Sequence, residues 1–143
     1  MPVVRLTSKN GLRPEKCERK DVTMSYKVTR ANEATKYEAP GHFDVLTTRL
    51  HNPAEVNEGT IVHGLSHFLP GGGANVAPAN FEMIYYIISG EMTVTLFDDN
   101  DVEQKYVLHA GDSVHFGKGT KRGCLNTGIV AAQMMTIMIK PQA

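Results

Sequence analysis

The sequence predicts an all-β domain of the barrel or sandwich kind, and three observations predict it. Past residue 40 no segment sustains a helical period of apolar residues. Short β-branched and aromatic runs recur instead, among them Met83-Ile-Tyr-Tyr-Ile-Ile and Glu91-Met-Thr-Val-Thr-Leu-Phe. Turn signals cut these runs at close intervals, at Asn52-Pro53, Pro70-Gly71-Gly72-Gly73 and Ser89-Gly90. Eight or more short strands separated in this way fit a sandwich or barrel.

Residues 1–23 are polar and charged and read as an arm with little structure of its own. Two readings of it stand side by side: a frayed terminus, or an arm crossing a partner subunit. Residues 23–30 alternate in the manner of a strand, and 30–37, rich in Ala, Glu and Lys, read as one or two helical turns that end at Pro40-Gly41. Strands follow at 43–50, 60–69, 83–88, 91–97, 104–108, 113–116, 123–126 and 132–140. Pro70 and its glycines are expected to stop the second of these. Asp98-Asp99-Asn100-Asp101 has the composition of a hairpin tip. The chain therefore divides into an arm with a first strand, 1–40, and a barrel domain, 41–143.

Composition removes other classes. The 143 residues suit one domain, and 41% hydrophobic with 21% charged residues describes a globular chain. Fifteen basic and fifteen acidic residues cancel, which argues against a nucleic-acid partner. No run approaches the roughly 18 apolar residues of a membrane span, so no membrane partner is expected. The N-terminal residues have no apolar core of signal-peptide length. Cys17 and Cys124 lie far apart and form no CxxC pair, so two free thiols and a cytoplasmic location are expected. The glycines at 71–73 precede a loop, not a helix, and make a weak phosphate cradle.

One spaced pattern carries the most information. Gly111, Gly119 and Asn126 keep the spacing G-x5-P-x-G-x2-H-x3-N, and Gly90 ends a run laid out as G-x5-HxH-x3/4-E-x6-G. This resembles the cupin superfamily over roughly residues 60–140. The resemblance implies a double-stranded β-helix, or jelly-roll barrel, which is often dimeric. It departs from the family where the metal is held. Met83 occupies the glutamate position, Val76-Ala77-Pro78-Ala79-Asn80 spans the HxH positions, Arg122 replaces the second-motif histidine, and Gly117 replaces the proline. Imidazole and carboxylate suit a divalent transition metal, whereas a thioether, a methyl group and a guanidinium do not replace them. The usual metal site is therefore expected to be absent, and no cofactor is expected.

Alternation on the motif strands directs Met83, Tyr85 and Ile87, and Arg122, Cys124 and Asn126, into the cavity. A buried guanidinium needs an anion. Arg122 either holds the carboxylate of a ligand, pairs with an internal acid, or reaches solvent at the mouth. Met83, Cys124 and Asn126 are candidate ligand contacts beside it. Tyr85 is a candidate acid or a core aromatic. Cys124 has a cation nearby, yet a free buried cysteine is usually packing. His115 and Glu82 complete the acid/base candidates. His63 and His67 return to one face of a strand about 13 Å apart, too far for one ion. Met134, Met135 and Met138, with Ile137 and Ile139, make a last strand apolar on both faces. Its outer face should meet a second subunit or the chain's own arm.

Three functions remain open. The first is a metal-independent lyase, isomerase or dehydratase acting on a small polar, carboxylate-bearing molecule. The second is a non-catalytic ligand-binding or sensor domain. The third is a metal-dependent oxygenase or isomerase with displaced ligands drawn from His63, His67, His115, Glu82 or Cys124.

Overall fold

The structure is a computed structural model that describes residues 25–141. The chain forms β1 (Thr35–Tyr37), β2 (His42–His51), β3 (Ile61–Pro78), β4 (Glu82–Ser89), β5 (Glu91–Phe97), β6 (Glu103–His109), β7 (Ser113–Phe116), β8 (Lys121–Leu125) and β9 (Ala132–Ile139). Two 3-10 turns, Ala31–Glu33 and Asn57–Gly59, are the helical elements among the described residues. Every strand pair is antiparallel, in the order β6-β5-β8-β3-β9-β4-β7, with β2 also on β3 and β1 on β2. The result is a nearly closed barrel of the jelly-roll kind. No helix among the described residues is long and apolar enough to cross a membrane.

The long strand β3 is the hinge of this topology. On one edge its first half, Ile61 to Phe68, pairs with β9 and its second half with β8 at Gly73, Ala74, Ala77 and Pro78, while β2 pairs along the other edge from His63 to Ala74. The strand changes partner at Pro70-Gly71-Gly72, where the sequence predicts a stop. Three features convert the stop into a corner. Gly71 adopts a positive φ of 83°, a conformation that costs an L side chain steric strain. At Gly73 a side chain would collide with the Cys124 carbonyl, so glycine lets the two backbones close. Gly71 then donates its N–H to the Asn126 carbonyl, and Asn126 donates its own to that of Gly72.

Two expectations near the N-terminus need correction. Of the predicted strand at 23–30, residues 25–30 are described and join no ladder; Tyr26 and Val28 stand in solvent. Alternation makes a strand only where a sheet edge and an apolar face receive it, and here neither does. The predicted helical turns at 30–37 reduce to Ala31–Glu33, after which Thr35–Tyr37 pairs with Arg49, Thr48 and Thr47. The β-formers Thr35 and Tyr37 outweigh the helix formers once a partner strand is present. The arm proper, 1–23, lies outside the described residues.

The core is built from the inward rows of several strands. Phe68, Ile87, Met92, Val94 and Met134 are almost wholly buried. The tip at Asp98 forms as its composition suggests. Its carboxylate accepts the N–H groups of Asn100 and Val102, and Asp101 takes a positive φ.

Candidate ligand cavity

The barrel interior opens into a cavity of about 340 Å³, within the range of small-molecule sites. The strand register lays out its floor. Arg49 of β2 faces Gly64 of β3, Gly64 faces Thr136 of β9, and Thr136 faces Tyr85 of β4. All four line the cavity. Gly64 has no side chain because there is no room for one, a Cβ there falling 2.8 Å from the Thr136 hydroxyl. The floor stays open between Arg49 and Tyr85 for that reason.

Arg122 enters from β8. Its Nε donates to the Tyr85 hydroxyl at 2.9 Å, one Nη donates to the Ala77 carbonyl at 3.0 Å, and the other lies 3.9 Å from the Met83 sulfur. Its guanidinium also lies 5.8 Å from the centroid of the Phe116 ring. All of these partners are uncharged. Among the described residues no carboxylate comes within ion-pair distance of Arg122. The internal acid that would neutralise it is missing there.

Tyr85 packs edge-on against Phe116, ring centroids 5.0 Å apart. Burial pushes its phenol up to about 12, with the neighbouring Cys124 adding to the rise and Arg122 opposing it. The hydroxyl is therefore protonated at neutral pH. Because it accepts from Arg122, its own proton remains available to an acceptor in the cavity.

Alternation also explains which predicted site residues are not gathered here. The period of two that turns Met83, Tyr85 and Ile87 inward turns Glu82 outward, and it does the same to His115 on β7. These two pair with each other on the outer surface, His115 Nε2 to the Glu82 carboxylate at 2.7 Å, away from Arg122. Cys124 is buried beneath the cavity without lining it, and burial pushes its thiol up to about 11, against a nucleophilic role. Asn126 sits deeper still. Its amide donates to the Phe68 and Val130 carbonyls and accepts from the Gly128 N–H, which spends it on the fold.

Arg49, Tyr37, Glu38 and His42 also line the cavity, and none of them is among the site candidates that the sequence offers. Arg49 lies with its guanidinium 4.1 Å above the Tyr37 ring, and its buried Nε has no hydrogen-bond partner. His42 is tied through Nδ1 to the Pro40 carbonyl at 2.9 Å, and Glu38 is exposed at the rim. The adjacent apolar pair Val45-Leu46 hid this face of β2, because a strand with two neighbouring apolar residues does not declare which side is in.

The positions that hold a metal elsewhere in this fold do not fit one here. Arg122 Nη2 lies beside Met83 Sδ, so a permanent cation and a thioether occupy the space that imidazole and carboxylate would need. The displaced-ligand set is not assembled either. His63 and His67 face away from the inward row Val62, Gly64, Ser66 and Phe68, and no three His, Cys, Asp or Glu side chains converge among the described residues.

Comparison with known proteins agrees with this architecture. The family model of the cupin domain matches residues 64–138. A curated relative, named a beta-D-galactosidase of Mycobacterium tuberculosis, is 36% identical over 117 residues, covering 82% of this chain and 97% of its own. The polyketide cyclase RemF from Streptomyces resistomycificus superposes with a TM-score of 0.68 at 14% identity, over 81% of this chain and 80% of that one. A Thermotoga maritima protein, described as a predicted oxalate decarboxylase, gives 0.65 at 21% identity, over 80% of this chain and 100% of that one. At these identities the two structures share the fold.

Proposed function

The chain belongs to the cupin family, and from that premise we propose that its barrel cavity binds a small polar molecule bearing a carboxylate, with Arg122 as the anchor. One observation carries the reading: a half-buried guanidinium that lines the cavity and whose own partners are all neutral. Its charge is uncompensated among the described residues, and a bound carboxylate compensates it through the planar fork that Arg presents. Tyr85 supports the same reading, since its free proton suits a second oxygen of the ligand.

The chemistry this supports is proton donation. A metal-independent lyase, isomerase or dehydratase would use Tyr85 as acid, with Arg122 fixing the substrate. A sensor would use the same contacts without turnover. The first test is titration calorimetry with galacturonate and galactose, which differ by one carboxylate. Galacturonate is expected to bind the more tightly, and Arg122→Gln to weaken it by about 10–100-fold, the range for hydrogen bonds to charged groups. Equal binding of the two sugars, or indifference to Arg122→Gln, overturns the reading.

A second reading, hydrolysis of a β-galactoside, is favoured by the relative named above. Its chemistry ordinarily takes two carboxyl groups flanking the scissile bond. The cavity offers one among the described residues, Glu38 at the rim. Release of nitrophenol from an aryl β-galactoside, abolished by Glu38→Gln, would select this reading over the first.

We also infer that two copies pair through the outer face of β9 and β4. Met135 and Ile137 there lie beside Tyr86 and Ile84, an apolar strip that the described residues of one chain leave partly open.

A further inference from the structure

The cavity holds a second cation: Arg49 lines it from β2, whereas Arg122 enters from β8. Arg49 and Tyr85 occupy one transverse row, separated by the Gly64 and Thr136 positions. Three interstrand steps of about 4.8 Å set their Cα atoms at most about 14 Å apart. Arg122 is hydrogen-bonded to Tyr85, while Arg49 rests on Tyr37. Neither guanidinium has a carboxylate within ion-pair distance among the described residues. The Nε of Arg49 is buried and unpaired, a state that costs free energy until an acceptor arrives. Ser66 and Thr136 line the stretch between, and Gly64 keeps it open. Glu38, the one carboxylate of the lining, is exposed to solvent, where its charge is screened.

The geometry points to a small dianion with a carboxylate at each end, one on Arg122 and the other on Arg49, with hydroxyl groups over the floor. This rests on the reading of the cavity as a carboxylate site and adds its substrate class. Two planar forks carried on different strands suit two planar carboxylates, one on each. The cavity volume of about 340 Å³ suits a chain of about six carbons.

The test uses calorimetry on the full chain with galactarate, galacturonate and galactose, and with adipate against hexanoate. Galactarate is expected to bind at least tenfold more tightly than galacturonate, and adipate more tightly than hexanoate. Arg49→Gln should erase that margin, bringing the ratio of galactarate to galacturonate affinity to about one. Arg49→Lys, which keeps the charge without the fork, should retain part of it and serves where the glutamine variant does not fold. Equal binding of mono- and diacids, with Arg49→Gln silent and Arg122→Gln still damaging, overturns the dianion and leaves the single-anchor reading standing. Binding of no acid, or indifference to Arg122→Gln, overturns both. Preference for galactose 6-phosphate over galactarate overturns the two-carboxylate assignment.

Discussion

Asn126 shows how one side chain can hold a corner of the barrel. Its Nδ2 donates to the Phe68 carbonyl at 3.0 Å and to that of Val130 at 2.9 Å, and its Oδ1 accepts from Gly128 at 2.9 Å. Asn126→Ala leaves these groups without partners, and each unsatisfied buried group costs about 1–3 kcal/mol. Allowing for water at the more exposed partners, we expect a loss of about 2–3 kcal/mol, seen as a fall of about 6–12 °C in Tm. Galacturonate affinity of the folded fraction should not change. A loss of affinity at unchanged Tm would return Asn126 to the binding site. Its spacing from Gly111 and Gly119 was legible in the sequence, and so was its inward face. Its depth was not, because alternation fixes the side of a strand and says nothing of how far along the barrel the residue lies. The same limit separates Cys124, buried below the cavity, from Arg122, which reaches into it. Glu82 fails for the opposite reason: it neighbours Met83 in sequence, and adjacency on a strand guarantees the opposite face.

At the scale of elements, the strands from residue 43 onward were legible because their β-branched runs and turn residues agree. The partner change within β3 was not, since a Pro-Gly-Gly-Gly segment ends a strand or turns a corner according to what lies beside it. Only the close approach of Cys124 and Asp44 decides that. Another contact invisible in sequence joins β2 to β3. His51 and His63 face each other in the register, and their rings stack with centroids 5.9 Å apart. Burial first, and the charge of His51 second, hold the His63 imidazole below its ordinary value. The unfolded chain therefore takes up this proton before the folded chain does as pH falls. The stability that His63 contributes is present above the unfolded value of about 6.5 and is lost as pH falls through the folded value. Urea denaturation at pH 7.5, 6.5 and 5.5 should show stability falling with acid, and His63→Gln should flatten that slope. Parallel slopes for the two proteins would detach the acid sensitivity from this pair.

At the scale of the whole molecule, the barrel presents two unlike surfaces of one sheet. The inner surface of β3, β9 and β4 carries Phe68, Met134 and Ile87 into the core and the cavity floor above them. Across its outer surface run the rows Leu65–Met135–Tyr86 and His63–Ile137–Ile84, set by the same register. A last strand apolar on both faces foreshadows this, because a sheet solvated on one side alternates apolar with polar residues. Tyr86 keeps 39% of its surface exposed although it stands among Met135 and other apolar neighbours. A second copy laid on this strip buries it, and the strip continues to the Glu82–His115 pair, which supplies a polar rim. A stable pair generally buries about 1,200–2,000 Å² in total, so the contact would extend beyond Tyr86 to its apolar neighbours Met135, Ile84 and Ile137. Light scattering should therefore give twice the 15.7 kDa chain mass. Tyr86→Glu, placing a charge at the centre of the strip, should return the mass to that of one chain while galacturonate binding persists, since Tyr86 points away from the cavity. A single-chain mass for the unaltered protein would leave the outer face uncovered by a second copy. A doubled mass that Tyr86→Glu does not disturb would move the contact to a different face.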